Sequence, residues 1–331
     1  MRPWVRKAFS GALVLIAASG CAAAHANGPG GTTRSGGTRS AARIPDGVVL
    51  DQLGGNLSVI DARTGRVLHE LGRYRDVIDG RAVYSTRNQA VYVIQLRRDR
   101  EQLIGRSTTT HAVHHYGTAD SFALSPDGLH LAAVNANGTG VRIVTLATGK
   151  VSPWRPPAGE LASADYLGGI AWLDDSSALV EPLPKATATI LDGSTHSVPA
   201  AAPPQWFRVT RTGSGVTGEA LGPPAVPDAQ PVISHESGRS AVWALSRESM
   251  TTIYRLTVHG RAVRATRTAA ARVTLGIAVS PDGHRLVFVE RHVRHGNQYT
   301  DLDICRVGPG DSCPRHILRH NAQVSGATWV S

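Results

Sequence analysis

The sequence predicts an all-β chain whose strands group into a six-bladed β-propeller, and three observations carry that expectation. Two segments nearly superimpose, Phe122-Ala-Leu-Ser125-Pro126-Asp127-Gly128-Leu-His-Leu131 and Ile277-Ala-Val-Ser280-Pro281-Asp282-Gly283-His-Arg-Leu286, each an apolar strand, a turn and a second apolar strand. Weaker copies recur at roughly the 40–50-residue interval of a four-stranded blade. The unit is also split between the two ends, with Pro45-Asp46-Gly47-Val-Val-Leu50 as its second half and Ala327-Thr-Trp329-Val330-Ser331 as its first.

A leader precedes the repeats. Arg2, Arg6 and Lys7 stand before an apolar run from Ala8 to Ala18 that is too short for a permanent membrane span and is followed by small residues, the pattern of a secretory signal. The run ends in Ala18-Ser19-Gly20-Cys21, which resembles the lipobox of bacterial lipoproteins, with Ala18 where Leu is common. The resemblance implies a signal peptide of residues 1–20, diacylglycerol on Cys21, and a membrane partner held through that lipid on the outer face of the bacterial plasma membrane. Cleavage after Ala24 or Ala26 would instead leave a secreted protein. Residues 21–44, rich in Gly, Ser, Thr and Arg, read as a flexible tether. The net charge of +10 owes six units to Arg2, Arg6, Lys7, Arg34, Arg39 and Arg43, leaving +4 over the remaining 286 residues. So small an excess implies neither a basic groove nor a nucleic-acid partner.

The repeated turn has a physical logic. Proline presets φ at the first corner, aspartate bonds neighbouring amides, and glycine takes the left-handed conformation that returns the next strand antiparallel. With the serine position as marker, units fall at 44 (implied), 85, 125, 173, 235, 280 and 331. The degenerate copies are Ser85-Thr-Arg-Asn88, Leu173-Asp-Asp175-Ser and His235-Glu-Ser-Gly238, where Asn88 and Gly238 suit the left-handed position. A second element, Thr64-Gly65-Arg66-Val67 and Thr148-Gly149-Lys150-Val151, follows an apolar strand each time and reads as the outer hairpin of the unit. The longest step, 62 residues, is too short for two blades, so the count is six. Its excess is assigned to an irregular extended segment, 200–231, with Pro203-Pro204 and Pro223-Pro224 around a strand-like Trp206 to Thr210; a degenerate seventh blade there is the alternative. The propeller then spans 45–331, and pairing of its N- and C-terminal strands closes the ring and hides two edges.

The SPDGxxL units at Ser125–Leu131 and Ser280–Leu286, the sixfold spacing and the export signal together resemble TolB-type β-propellers, a group related to WD-repeat-like folds. The resemblance covers about residues 45–331 and implies a fold rather than an activity. No segment is available for the α/β domain that TolB places before its propeller. Nor does a G-x-S-x-G elbow occur, which the prolyl-oligopeptidase family, with a related propeller, needs for its nucleophile.

Other motifs yield mostly structural readings. Gly213-Ser-Gly215-Val-Thr-Gly218 matches a dinucleotide fingerprint, but Pro223-Pro224 stop the helix that a pyrophosphate would need, so it reads as a loop. His111, His114 and His115 follow a Thr run and are expected on a strand, where alternation separates them too far to share an ion. His292 and His295 fall in a polar loop, and two ligands make no zinc site. Asp174-Asp175 sit in a blade turn, whereas Asp301 and Asp303 share a strand face and suit an ion or, more simply, arginine partners. Cys305 and Cys313 flank Gly308-Pro309-Gly310-Asp311, turn chemistry that favours a local disulfide in an exported protein over two buried thiols. Most tryptophans occupy apolar strand positions, and Trp206 is the one suspected of facing a ligand. The expected function is that of a non-catalytic binding module without cofactor, presenting loops, above all 200–231, to a protein, peptide or envelope ligand. The alternative is a propeller hydrolase of lactonase type, with a channel metal held by residues from several blades.

Overall fold

A computed structural model of the chain describes residues 47–52, 55–74, 77–98, 100–157, 159–160, 166–183, 205–213, 215–222, 229–236, 239–246, 252–256, 262–267, 273–280, 284–295, 297–306, 315–319 and 324–330. Among these residues every regular element is a strand. Strands β1 (Gly47–Gln52), β2 (Asn56–Asp61) and β3 (Val67–Arg73) form a meander, and the last strand of the chain, β23 (Val324–Trp329), completes it in the order β23-β1-β2-β3. Next come β4 (Val77–Ser85), β5 (Ala90–Arg97), β6 (Arg100–Ser107), β7 (Val113–Leu124), β8 (His130–Asn135), β9 (Val141–Thr145) and β10 (Val151–Trp154), joined in one seven-stranded sheet. Its long strand β7 is shared: Val113 to Thr118 pair with β6, and Ala119 to Leu124 pair with β8. The sheet is therefore two four-stranded arrays with one strand in common.

Three further meanders follow: β11 (Tyr166–Trp172) to β14 (Val216–Gly222) through β12 (Ser177–Leu183) and β13 (Trp206–Arg211), then β15 (Ala229–Glu236), β16 (Arg239–Ser246), β17 (Thr252–Leu256) and β18 (Ala262–Arg267), then β19 (Val273–Val279), β20 (Arg285–Arg294), β21 (Asn297–Arg306) and β22 (Arg315–Arg319). The first strands of the arrays meet one another: β23 touches β4 and β19, β11 touches β7 and β15, and β15 touches β19. All-antiparallel arrays meeting along their first strands make this a β-propeller. The described strands supply six such arrays, one of them built from both ends of the chain. There Val48, Val49 and Leu50 pair with Trp329, Thr328 and Ala327, and the Val330 amide donates to the Gly47 carbonyl at 3.0 Å.

Apolar side chains fill the clefts between arrays. Alternate residues of β5 serve two clefts: Val91 and Val93 pack with Val49, Leu57 and Val59 of the first array, whereas Tyr92 and Ile94 pack with Phe122 and Leu131 of the third. Burial on both faces explains why this strand reads as a continuous apolar run. Each large side chain so buried contributes about 1.5–3 kcal/mol.

The repeated turns are small hydrogen-bonded knots. Ser125 is fully buried; its amide donates to the His130 carbonyl at 2.9 Å, and its hydroxyl accepts from the His130 amide at 2.9 Å and donates to Asp127. The Asp127 carboxylate also accepts from the Leu129 amide at 2.9 Å, and Gly128 turns the chain at φ +69°. Pro126 sets the corner between them. Ser280 repeats the pattern with Arg285, at 2.8 and 2.9 Å; Pro281, Asp282 and Gly283 lie outside the described residues.

Neighbouring turns are also laced together. Arg87 and Asn88 donate to the carbonyls of Asp127 and Gly128, each at 2.7 Å, and the Asp127 amide donates to the Asp175 carboxylate at 2.8 Å. Asp174 accepts from the Ser176 amide, the Ser176 hydroxyl and the Ser177 amide, all at 2.7 Å. Burial pushes the Asp174 pKa up, and these bonds outweigh it, so the carboxyl lies below its usual 3.8.

One boundary expected from sequence is corrected. The segment 200–231 is not an irregular extension: it supplies β13, β14 and the start of β15. Prolines near both of its ends make these strands hard to read from sequence. The extra residues of the long step fall instead between β12, ending at Leu183, and β13, starting at Trp206, and 184–204 lie outside the described residues. Trp206 is 1% exposed and opens β13 opposite Gly222.

Candidate functional site

Three outer hairpins share one six-residue turn. In Asp61–Arg66, Ser107–Ala112 and Thr145–Lys150 the first amide donates to the sixth carbonyl at 2.9 Å, and the fifth amide donates back to the first carbonyl at 2.8, 3.1 and 2.8 Å. The fifth residue is left-handed in each: Gly65 at φ +67°, His111 at +59° and Gly149 at +68°. His111 is thus not on a strand with His114 and His115, as its surroundings in the sequence predicted. Those two lie on β7, opposite Gly105 and Ile104, and all three imidazoles are exposed. The turn overrides strand propensity because the Ser107 hydroxyl accepts the amides of Thr109 and Thr110, as the Asp61 carboxylate accepts those of Arg63 and Thr64. Those bonds hold the Asp61 carboxyl below its usual 3.8, Thr64 contributing most.

His111 borders a groove between the first and second arrays. Strand β3 is bulged twice against β2, at the register slips between Leu57 and Ser58 and between Val59 and Ile60, and Gly72 near its end takes φ +99°. The distorted strand delivers Arg73 and Tyr74 towards β6, where the Tyr74 amide is fixed to the Gly55 carbonyl at 2.7 Å. From the second array, alternation along β5 sends Val91 and Val93 into the core and Gln95 and Arg97 into the groove beyond it. Ile104 and Arg106 on β6 do the same. The cavity has a volume of about 460 Å³ and continues past Arg73, Tyr74, Arg106 and His111 into a second hollow of about 310 Å³.

The groove is cationic with an apolar floor. Arg73, Arg97 and Arg106 line it with His69 and His111, and Glu70 is the one carboxylate among the described lining residues. The Arg106 guanidinium lies over the Tyr74 ring, 5.5 Å from its centre, a cation–π contact that fixes the charge in place. Burial pushes the Tyr74 phenol pKa up against the opposing pull of Arg106. Leu96 and Val113, 45% and 44% exposed, offer apolar surface beside the guanidiniums. Cationic side chains thus outnumber carboxylates among the described residues lining the groove, a local excess that the small net charge of the folded region does not report.

The remaining motifs resolve as structure. Gly213 and Gly215 precede β14 and Gly218 lies within it, where a Cβ would stand 2.3 Å from the Trp154 indole, so this last glycine serves close packing between arrays. Asp301 and Asp303 are buried on β21 opposite Glu290 and Phe288, and both have interaction partners within the chain. His292, expected in a loop, lies on β20, stacked on Tyr299, with Nδ1 3.6 Å from Asp301. Asp174 and Asp175 serve the turns. No group of three or more His, Cys, Asp and Glu side chains placed to hold a metal occurs among the described residues. Cys305 is 2% exposed and disulfide-bonded; Cys313 and Cys21 lie outside the described residues.

Sequence reasoning missed the groove. The usable signal was the third copy of the outer turn, Ser107-Thr-Thr-Thr110-His111-Ala-Val113, which keeps the Thr and Val of the other two but carries His in place of Gly.

No known family model matches the sequence, and no curated protein matches it either. Solved structures resemble its fold. TolB from Acinetobacter baumannii superimposes with a TM-score of 0.57 at 14% identity, over 86% of this chain and 66% of that one. This chain thus spans just under two thirds of TolB. A protein from Lactobacillus plantarum gives 0.52 at 12% identity, over 84% and 82% of the two chains. At such identities the likeness concerns the propeller alone.

Proposed function

We propose that the chain is a non-catalytic binding module: a six-bladed propeller closed by its terminal strands, exported, and held by lipid on Cys21 at the outer face of the plasma membrane, with the groove between its first two blades as the ligand site. The observation that carries the binding assignment is the groove itself, whose described lining sets three arginines and two histidines against one glutamate. The laced turns support it, because a framework cross-bonded from blade to blade holds such a site without reorganising on binding. The disulfide at Cys305 fits an oxidising compartment and hence export. The earlier candidate contacts, Trp206 and the segment 200–231, play no part in this reading.

Two measurements test it. Radiolabelled fatty acid fed to cells should enter the wild-type chain and not Cys21→Ser, which should move to the soluble fraction; labelling that survives the substitution removes the anchor. A photo-crosslinking residue at Val113, in the groove, should yield a defined adduct in the native envelope, whereas one at Val293, exposed on β20, should not. Equal adducts from both positions remove the groove.

A further inference from the structure

We propose that Asn137 is a self-modifying residue: its carboxamide condenses with the Gly138 amide, the ring opens to aspartate or isoaspartate, and the isoaspartyl form releases a contact between the third and fourth arrays. The site is the turn that joins β8 to β9, away from the groove. The Gly138 amide donates to the Asn135 carbonyl at 2.7 Å and the Asn135 amide to the Gly140 carbonyl at 2.9 Å, while Gly138 takes φ +62°. Asn137 is exposed at the corner, and its Oδ1 accepts from the Thr139 amide at 3.2 Å and from the Thr139 hydroxyl at 2.8 Å. A side-chain oxygen bonded two residues ahead makes the carboxamide imitate the backbone carbonyl of a turn, which folds its carbon back towards the intervening nitrogen, here that of Gly138. The two donors also polarise this carbonyl and meet the negative charge that grows on Oδ1 during attack. Glycine leaves the nitrogen unshielded, since no Cβ stands beside it.

The step balances with water alone. The Gly138 nitrogen gives its proton to solvent base and bonds to Asn137 Cγ; the Cγ–Nδ2 bond breaks, ammonia leaves, and a five-membered imide closes. Water then opens the ring at one of two bonds. Cleavage between Cγ and the Gly138 nitrogen yields aspartate in a normal main chain. Cleavage at the Asn137 main-chain carbonyl yields isoaspartate, in which the main chain runs through Cβ and Cγ and is one carbon longer. The bond from the Gly138 amide to Asn135 opens before the proton leaves, a local event in a turn whose residues on either side of Gly138, Asn137 and Thr139, are exposed. The consequence lies across the boundary between arrays. The Gly138 carbonyl accepts from the Leu167 amide at 2.7 Å, and Leu167 is fully buried on β11. An extra main-chain carbon beside Gly138 moves that carbonyl off its donor and leaves the Leu167 amide unsatisfied.

The test is peptide mapping by mass spectrometry of the purified full chain after incubation at mildly alkaline pH. The Asn137 peptide should split into two products, each heavier by the difference between OH and NH2. Because the turn holds the reacting groups together, conversion in the folded chain should stay within about tenfold of that in urea. Asn137→Gln, which has to close a larger ring, should slow it about tenfold or more. Thr139→Ala, an exposed change that removes one donor to Oδ1, should slow it severalfold. Asn88, whose Nδ2 donates to the Tyr92 hydroxyl and the Gly128 carbonyl and which precedes Gln89, should stay intact. Mapping keeps Asn27-Gly28, the other Asn–Gly pair of the sequence, out of the readout. An Asn137 peptide that stays intact in the folded chain while it converts in urea would overturn the site, and so would undiminished conversion in Thr139→Ala. Hydrogen exchange at Leu167 reads the consequence: protection should drop in the isoaspartyl fraction and persist in Asn137→Asp, which carries the charge without the longer main chain. Protection retained in the isoaspartyl fraction would overturn the release of the boundary.

Discussion

His111 and Gly149 occupy the same place in two copies of one turn, at φ +59° and +68°, but only the histidine stands at the wall of a groove. A side chain in the left-handed region costs about 1–2 kcal/mol, partly offset by the lower chain entropy of a non-glycine residue. His111→Gly is therefore expected to stabilise the fold by roughly 0.5–1 kcal/mol in urea denaturation. A variant that loses stability would mean that the imidazole holds the turn together.

The two glycine turns should respond unequally to a methyl group. A Cβ on Gly65 would lie 2.6 Å from the Leu318 carbonyl oxygen, a backbone atom of the last array, whereas a Cβ on Gly149 meets nothing within 4 Å. Gly149→Ala should cost about 0.5–1 kcal/mol, the backbone strain less the gain from a stiffer unfolded chain. Gly65→Ala adds a steric clash and should cost about 1–3 kcal/mol more. Melting curves of the two variants give the comparison, and equal losses would contradict the contact between the first and last arrays.

Much of this architecture was legible in the sequence, and the failures have physical causes. Ser125 and Ser280 marked their turns because the serine hydroxyl, the proline and the glycine each do a separate geometric job in consecutive positions. The split unit set the end of the chain beside its start, and the observed pairing puts Trp329, Thr328 and Ala327 opposite Val48, Val49 and Leu50. His111 misled because a turn whose Asp is replaced by Ser and whose Gly is replaced by His looks like a β-rich Thr run. The groove was invisible for a different reason: Arg73 comes from the first array and Arg97 and Arg106 from the second, and sequence does not show which strands of neighbouring arrays face one cleft. Trp206 drew attention as an aromatic among prolines, and it lies buried at the start of β13 with Phe207 buried beside it.

Gly218 tests the reading of the glycine-rich stretch as packing. The Trp154 indole lies against it and 5.6 Å from the Phe207 ring, so the ring has little room to retreat. Gly218→Ala should cost on the order of 1–3 kcal/mol through overpacking. Trp154→Leu should rescue part of that loss by freeing space. An alanine variant as stable as the wild type would contradict the close approach.

His130 gives the fold a pH dependence of known sign. Burial favours the neutral imidazole, and the nearby Arg211 adds to that, against Asp127 and Asp175, so its pKa in the fold lies below the usual 6.5. As pH falls below about 6.5 the unfolded chain takes up this proton before the folded one does, so stability drops from there down through the folded value. Urea midpoints measured between pH 7.5 and 5 should fall more steeply for the wild type than for His130→Gln. Parallel slopes would mean that the imidazole is not held neutral.

The ring itself meets its most direct test in hydrogen exchange followed along the whole chain. If head and tail share one sheet, the amides of Val48 to Leu50 and of Ala327 to Trp329 should be protected to the same degree as those of the interior strand β5, opening only with global unfolding. Exchange of the two terminal stretches within seconds, while β5 stays protected, would show that the ends fray independently and would contradict the closed propeller on which the groove and its ligand depend.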